Sequence, residues 1–146
     1  MDRKQFFKTC GFGCLAGITG ITILQSCSTS QIITAPIEGS DILVQITDFE
    51  IKNKKETEFK KYIIVQNEIL KSPICVYRFE ATDYAAMLMT CTHQGAQLQV
   101  FGDKLQCPAH GSEFNNRGGL ENGPANTDLR KFPIVIENNT LKISLK

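Results

Sequence analysis

A chain of 146 residues matches about one domain at roughly 150 residues each, which argues against two independent cores. Apolar residues make up 42% and charged residues 21%, so the chain is neither a disordered tail nor a multi-span membrane protein, and a globular chain with at most one membrane segment remains. Sixteen Lys and Arg against fifteen Asp and Glu give a net charge of +1 without a basic block, and nucleic acid, whose binding requires many neutralised phosphates, is excluded as a partner.

Residues 1 to 26 read as an address label. Arg3, Lys4 and Lys8 form a basic opening, and an uncharged apolar run follows from about Cys10 to Leu24. The segment ends Leu24-Gln25-Ser26-Cys27, followed by the polar stretch Ser28-Thr29-Ser30-Gln31. This ending resembles the lipobox of bacterial lipoproteins, which implies that Cys27 becomes a lipid-bearing mature N-terminus and that residues 1 to 26 are removed. An uncleaved anchor stays open, although about fifteen residues span only about 22 Å as a helix against a hydrocarbon core of about 30 Å. An ordinary cleaved signal stays open too, and all three place the folded domain outside the cytoplasm. Asp2-Arg3-Lys4-Gln5-Phe6-Phe7-Lys8 is also similar to the twin-arginine export signal, with Lys4 in place of the second Arg. That route carries folded proteins, so a cofactor assembled in the cytoplasm could travel inside its domain; a conventional signal is the alternative. Loss of residues 1 to 26 takes the net charge from +1 to −1 by removing Arg3, Lys4 and Lys8 with Asp2.

Residues 27 to 41 read as a linker, and from Ile42 to Lys146 the pattern is that of short strands. Ile42, Val44 and Ile46 alternate with Leu43, Gln45 and Thr47, and residues 62–66, 74–79 and 85–90 are similar apolar runs. Cys75 falls in one of them and reads as an inert buried thiol. Asn53 to Lys61 is polar and predicts an exposed loop or a short solvated helix. Gly102-Asp103 predicts a hairpin between residues 98–101 and 104–107. Asn115 to Thr127, with Gly118, Gly119, Gly123 and Pro124, predicts a loop. Asn138-Asn139 joins residues 131–136 to a strand in which Leu141, Ile143 and Leu145 alternate with Lys142, Ser144 and Lys146.

Both histidines of the chain lie two or three residues beyond a cysteine, in Cys91-Thr92-His93 and Cys107-Pro108-Ala109-His110-Gly111. Each half offers one thiolate and one imidazole, and the hairpin between the halves lets the two loops face each other at one end of a sheet. Four soft or borderline donors can then converge on a metal centre. Zinc uses the same donors, but its usual spacings pair Cys with Cys and His with His, whereas each loop here is mixed. Mixed loops suit a two-iron centre clasped from opposite sides. No nucleophile has a candidate base beside it, so no catalytic residue is assigned and no small-molecule substrate pocket is expected.

Cys91, His93, Cys107 and His110 match in full the C-x-H and C-x-x-H signature of the Rieske family, which the region from Ile42 to Lys146 resembles. Cys107-Pro108-Ala109-His110-Gly111-Ser112 and Gly123-Pro124-Ala125 are further family features. The resemblance implies an all-β fold of stacked antiparallel sheets, with a cluster-binding subdomain at about residues 88 to 127 inserted between strands of the base. It implies one 2Fe-2S cluster per chain, with Cys91 and Cys107 on a deeper iron, His93 and His110 on an outer iron, and Ser112 donating to a bridging sulfide. Two imidazoles in place of two thiolates remove negative charge, and Rieske potentials accordingly run from roughly −150 to +300 mV against about −400 mV for plant-type ferredoxins. Oxidation should lower the imidazole pKa values and couple electron transfer to a proton.

Departures from the family pattern narrow the expectation. Ala96 and Ala109 stand where cytochrome bc-type members carry the two cysteines of a loop disulfide, so that bridge cannot form. Phe114 replaces the Tyr of high-potential members and has no hydroxyl to give to a cysteine sulfur, which predicts a potential below theirs. Gln94 replaces an apolar Leu at the cluster tip, and Asn126 replaces a second proline; both speak against docking to a cytochrome b subunit. The resemblance implies a one-electron carrier, exported and tethered to a bacterial membrane by lipid on Cys27, with redox-protein partners. The alternatives are a relay subunit of a larger oxidoreductase, such as a cytochrome bc-type or arsenite-oxidase-like complex, and a ferredoxin feeding a Rieske oxygenase.

Overall fold

A computed structural model describes residues 31–52 and 56–146. The address label and Cys27 lie outside the described residues. No α-helix occurs among those described, and no helix is long and apolar enough to cross a membrane. The strands, in chain order, are β1 (Ile32–Thr34), β2 (Ile37–Glu38), β3 (Asp41–Gln45), β4 (Glu50–Lys52), β5 (Thr57–Phe59), β6 (Tyr62–Gln66), β7 (Ile74–Arg78) and β8 (Tyr84–Leu88). They continue with β9 (Gln99–Phe101), β10 (Lys104–Gln106), β11 (Glu113–Asn115), β12 (Leu120–Asn122), β13 (Lys131–Phe132), β14 (Ile134–Glu137) and β15 (Thr140–Ser144). A single 3-10 turn, Ile46–Phe49, follows β3.

Three sheets stack into layers around two cores. The middle sheet has the order β1-β6-β7-β8-β13, one outer sheet β14-β15-β3-β2, and the other β12-β11-β10-β9. Alternation in β3 and β15 places Ile42, Val44, Leu141 and Ile143 on one face, where they meet Ile63, Val65, Ile74, Val76 and Ala86 of the middle sheet. The opposite face of the middle sheet sends Cys75, Tyr77 and Met87 against Leu98, Leu105 and Phe114 of the second outer sheet. Covered on both faces, β7 shows no alternation: Ile74, Cys75, Val76 and Tyr77 are all buried. Burial pushes the Cys75 thiol pKa far up, which leaves it an inert core residue.

The all-β stacked architecture is the expected one, and among the described residues every strand pair is antiparallel except β1 with β6, which is parallel. Both expected hairpins form, at Gly102 (φ 59°) and at Asn138-Asn139 (φ 47° and 65°), because these residues tolerate the left-handed backbone of tight hairpin turns. Four local expectations are corrected. The run 131–136 is two strands, β13 in the middle sheet and β14 in an outer one, because Pro133 has no N–H to continue a ladder and the chain changes sheets there. The stretch 27–41 is not all linker: β1 pairs with β6, β2 pairs with β3, and Ala35 is buried. Within the stretch 53–61, expected as a loop or short helix, Thr57–Phe59 form β5, paired with β4, with the Arg78 guanidinium 3.9 Å from the Phe59 ring centre. The loop predicted over 115–127 contains β12, because the Asn115 side chain accepts hydrogen bonds from the Arg117 and Gly119 N–H groups and folds a tight turn. That turn brings Leu120 back beside Phe114.

Candidate metal centre

The sheet β9–β12 is inserted between β8 and β13, neighbours in the middle sheet. Its β9–β10 turn is fixed at one end, where the Tyr77 hydroxyl donates to the Gly102 carbonyl at 2.8 Å. The chain returns along β10 to Cys107 at the opposite end, where Cys91 also emerges beyond β8. This return places the two half-motifs side by side.

The two loops close in the same way. Cys91 N–H donates to the Ala96 carbonyl at 2.8 Å, and Gly95 N–H donates to the Cys91 carbonyl at 2.9 Å. In the second loop Cys107 N–H donates to the Ser112 carbonyl at 2.8 Å, and Gly111 N–H donates to the Cys107 carbonyl at 3.0 Å. The closing glycine stands four residues after the cysteine both times, at φ 78° for Gly95 and 80° for Gly111. A Cβ at either position would meet nothing within 4 Å, so glycine is needed there for its backbone conformation and not for space. Cys75, Cys91 and Cys107, the cysteines among the described residues, are all free thiols. Backbone bonds therefore hold the loops without a covalent bridge.

The four donors fall into two unlike pairs. Cys91 and Cys107 are buried, whereas His93 and His110 are exposed with ring centres 5.0 Å apart and planes at 83°. Burial opposes ionisation of the Cys107 thiol. Hydrogen bonds to its sulfur from the His110 and Ala109 N–H groups and from the Cys91 thiol outweigh burial and hold its pKa below the ordinary thiol value. Among the described residues no three of His, Cys, Asp or Glu converge where one ion would sit. A sulfur pair beneath an imidazole pair is a donor set for a centre with two chemically different ends.

A third segment, 123–127, ties both loops together. Ala125 N–H donates to the Ser112 hydroxyl at 2.9 Å, and Ser112 is fully buried. Because that hydroxyl accepts from Ala125, its own proton remains to be donated. Thr92 donates its hydroxyl to the Thr127 carbonyl at 2.8 Å. Sequence reasoning had singled out Ser112 and Ala125 but not Thr92 or Thr127, whose bond joins residues 35 apart and leaves no mark in the spacing. Phe114 is fully buried beside this region, within the core that includes Cys91 and Cys107. Gln94 and Asn126 are exposed.

These layers and paired loops define a small redox-centre domain of known type. The profile of the Rieske 2Fe-2S domain family matches residues 49–133, and the chain belongs to that family as an electron-transfer domain with one such unit per chain. Over 111 residues it is 26% identical to cytochrome b6-f complex iron-sulfur subunit 2 of Trichormus variabilis, covering 75% of this chain and 56% of that one. It is 30% identical over 82 residues to ferredoxin CarAc of Metapseudomonas resinovorans, covering 53% of this chain and 76% of that one. The plasma-membrane Rieske protein PetC3 of Synechocystis PCC 6803 superposes with a TM-score of 0.50 at 28% identity, covering 57% of this chain and 86% of that one. The chain thus spans about half the length of the Trichormus subunit and most of the other two.

Proposed function

We propose that this protein is an exported, lipid-tethered one-electron carrier in which Cys91 and Cys107 hold the inner iron of a 2Fe-2S cluster and His93 and His110 the outer iron. The reading stands on the segregation of donors: two buried sulfurs below two exposed imidazoles on loops of the same construction. When bound, the cluster supplies a one-electron couple. The chain contributes N–H donors to the Cys107 sulfur and the unspent Ser112 proton, groups that favour the more negative, reduced state. The exposed rings of His93 and His110 carry the electron to the surface and are where a proton can accompany it.

Low-temperature EPR of the dithionite-reduced protein, with iron and acid-labile sulfide assays, tests this reading. The expected result is two irons, two sulfides and an S = 1/2 signal per chain, on the order of the stoichiometry such clusters carry. His93→Cys or His110→Cys should lower the potential, because a thiolate restores negative charge. An iron-free protein active in its native membrane overturns the reading. Similarity to a plasma-membrane Rieske protein supports membrane attachment, and mass spectrometry of the mature N-terminus tests lipid on Cys27. The relation to a cytochrome b6-f iron-sulfur subunit supports a second reading, a relay subunit of a larger complex. Copurification with a heme or molybdenum subunit favours the second, and isolation as a free chain the first.

A further inference from the structure

The strand directions show from which end of the domain the chain enters the fold. Ile32, Ile64, Cys75 and Met87 form one row across the middle sheet. β1 runs parallel to β6, β6 antiparallel to β7, and β7 antiparallel to β8, so β1 and β8 point the same way. β8 leads to Cys91 and His93, four and six residues past Met87. The chain before β1 therefore comes from the other end, the one where Tyr77 holds Gly102 and Lys61 pairs with Asp103 at 3.6 Å. Gln31 is already bonded into the sheet, its carbonyl accepting from Ile64 N–H at 2.7 Å. Four Cα steps from Gln31 back to Cys27 cover at most about 14 Å. Gln31 already lies one residue to the entry side of the Met87 row and Cys91 four residues beyond it, so a tether of this length starts on the side away from the ligand loops.

The ligand loops differ from their surroundings in side-chain chemistry. The ligand loops themselves, residues 91–96, 107–112 and 123–127, contain no Asp, Glu, Lys or Arg; the neighbouring β6–β7 connection at the same end carries Glu68 and Lys71. No large exposed apolar side chain lies on the ligand loops either. Among the described residues, two of the large exposed apolar side chains lie toward the entry end, Phe59 under Arg78 and Phe101 before the Gly102 turn, while Ile32 is level with Met87. Ile69, 78% exposed, is on the β6–β7 connection at the same end of the sheet as the ligand loops, and Val135 and Ile136 are on β14. The exposed loop residues Thr92, His93, Gln94, Pro108 and His110 carry no fixed charge and no large apolar side chain.

Building on the tethered-carrier reading, we propose that the membrane-held protein points its imidazole face away from the bilayer and exchanges electrons with a water-soluble redox protein. The test uses the full chain, purified with its lipid and reconstituted in phosphatidylcholine vesicles. EPR power saturation of the reduced centre is measured with a dysprosium chelate either free in the water or attached to a headgroup lipid. The free chelate is expected to raise the half-saturation power several-fold, and the headgroup chelate to leave it nearly unchanged. A bound, EPR-active chain relaxed as strongly by the headgroup chelate as by the free one overturns the orientation alone. A chain that leaves the vesicles, or gives no signal on reduction, overturns the tethered-carrier reading and the orientation with it.

Discussion

Replacing Ser112 by Ala separates the structural role of its hydroxyl from its electronic one. In the folded protein this hydroxyl is the acceptor for Ala125 N–H at 2.9 Å, and the site is closed to water. Ser112→Ala leaves a buried amide without a partner, which costs about 1–3 kcal/mol. A domain of this size unfolds with an entropy that converts each kcal/mol into about 4 °C of melting temperature, so a fall of about 4–12 °C is expected. Thermal denaturation of the protein without its cluster, followed by circular dichroism, isolates that cost. Redox titration of the loaded protein reads the second role: if the Ser112 proton reaches a cluster sulfur, its loss destabilises the reduced form and lowers the midpoint potential. A cluster-free Ser112→Ala protein that melts within a degree of the parent refutes the assignment of the Ala125 bond. An unchanged potential with a lowered melting point leaves Ser112 as a strut only.

Gly95→Ala and Gly111→Ala should each cost about 1–2 kcal/mol through backbone conformation alone, since a Cβ has room at both sites. Asn at either position should cost less, because Asn tolerates the left-handed region; chemical denaturation of the four variants checks this order, and equal losses for Ala and Asn refute it. Phe114→Tyr should raise the midpoint potential by placing a hydroxyl in the core that holds both cysteines, and a titration showing no rise counts against that placement. Asp83 accepts a bidentate pair from Arg117, with the shorter contact at 2.6 Å, and this hydrogen bonding together with the guanidinium charge holds its pKa below the ordinary carboxylate value. A lowered folded-state pKa contributes stability above the unfolded value near 3.9 and loses it as pH falls toward the folded value. Asp83→Asn should therefore melt below the parent at neutral pH, with the gap closing in acid; a gap that persists when the carboxylate is protonated refutes the pairing.

Legibility in the sequence followed the range of the interaction involved. The ligand loops were readable because their chemistry is local: cysteine, histidine and closing glycine recur within five residues in both halves. The hairpins at Gly102 and Asn138-Asn139 were readable because turn backbone is written in two residues. What escaped depended on distant partners. The β1 strand has only three residues, and its place in the sheet comes from β6, whose paired residues lie thirty-two positions away in sequence. The charged residues that made 53–61 look solvated conceal a ribbon whose Phe59 is covered by Arg78. The Asn115 turn that creates β12 is local but needs side-chain geometry that composition does not show. Pro133 was visible in the sequence, yet the exchange of sheets it marks becomes evident only once two sheets are available to receive the flanking strands.

The ligand loops also bear on when in its life the protein can be completed. Their closure rests on amide hydrogen bonds and on two hydroxyl ties to the segment around Ala125 and Thr127. No thiol has to be oxidised to shape the cradle, so glutathione or dithiothreitol has nothing in it to undo. The two loops can take their shape among reductants as well as in an oxidising environment.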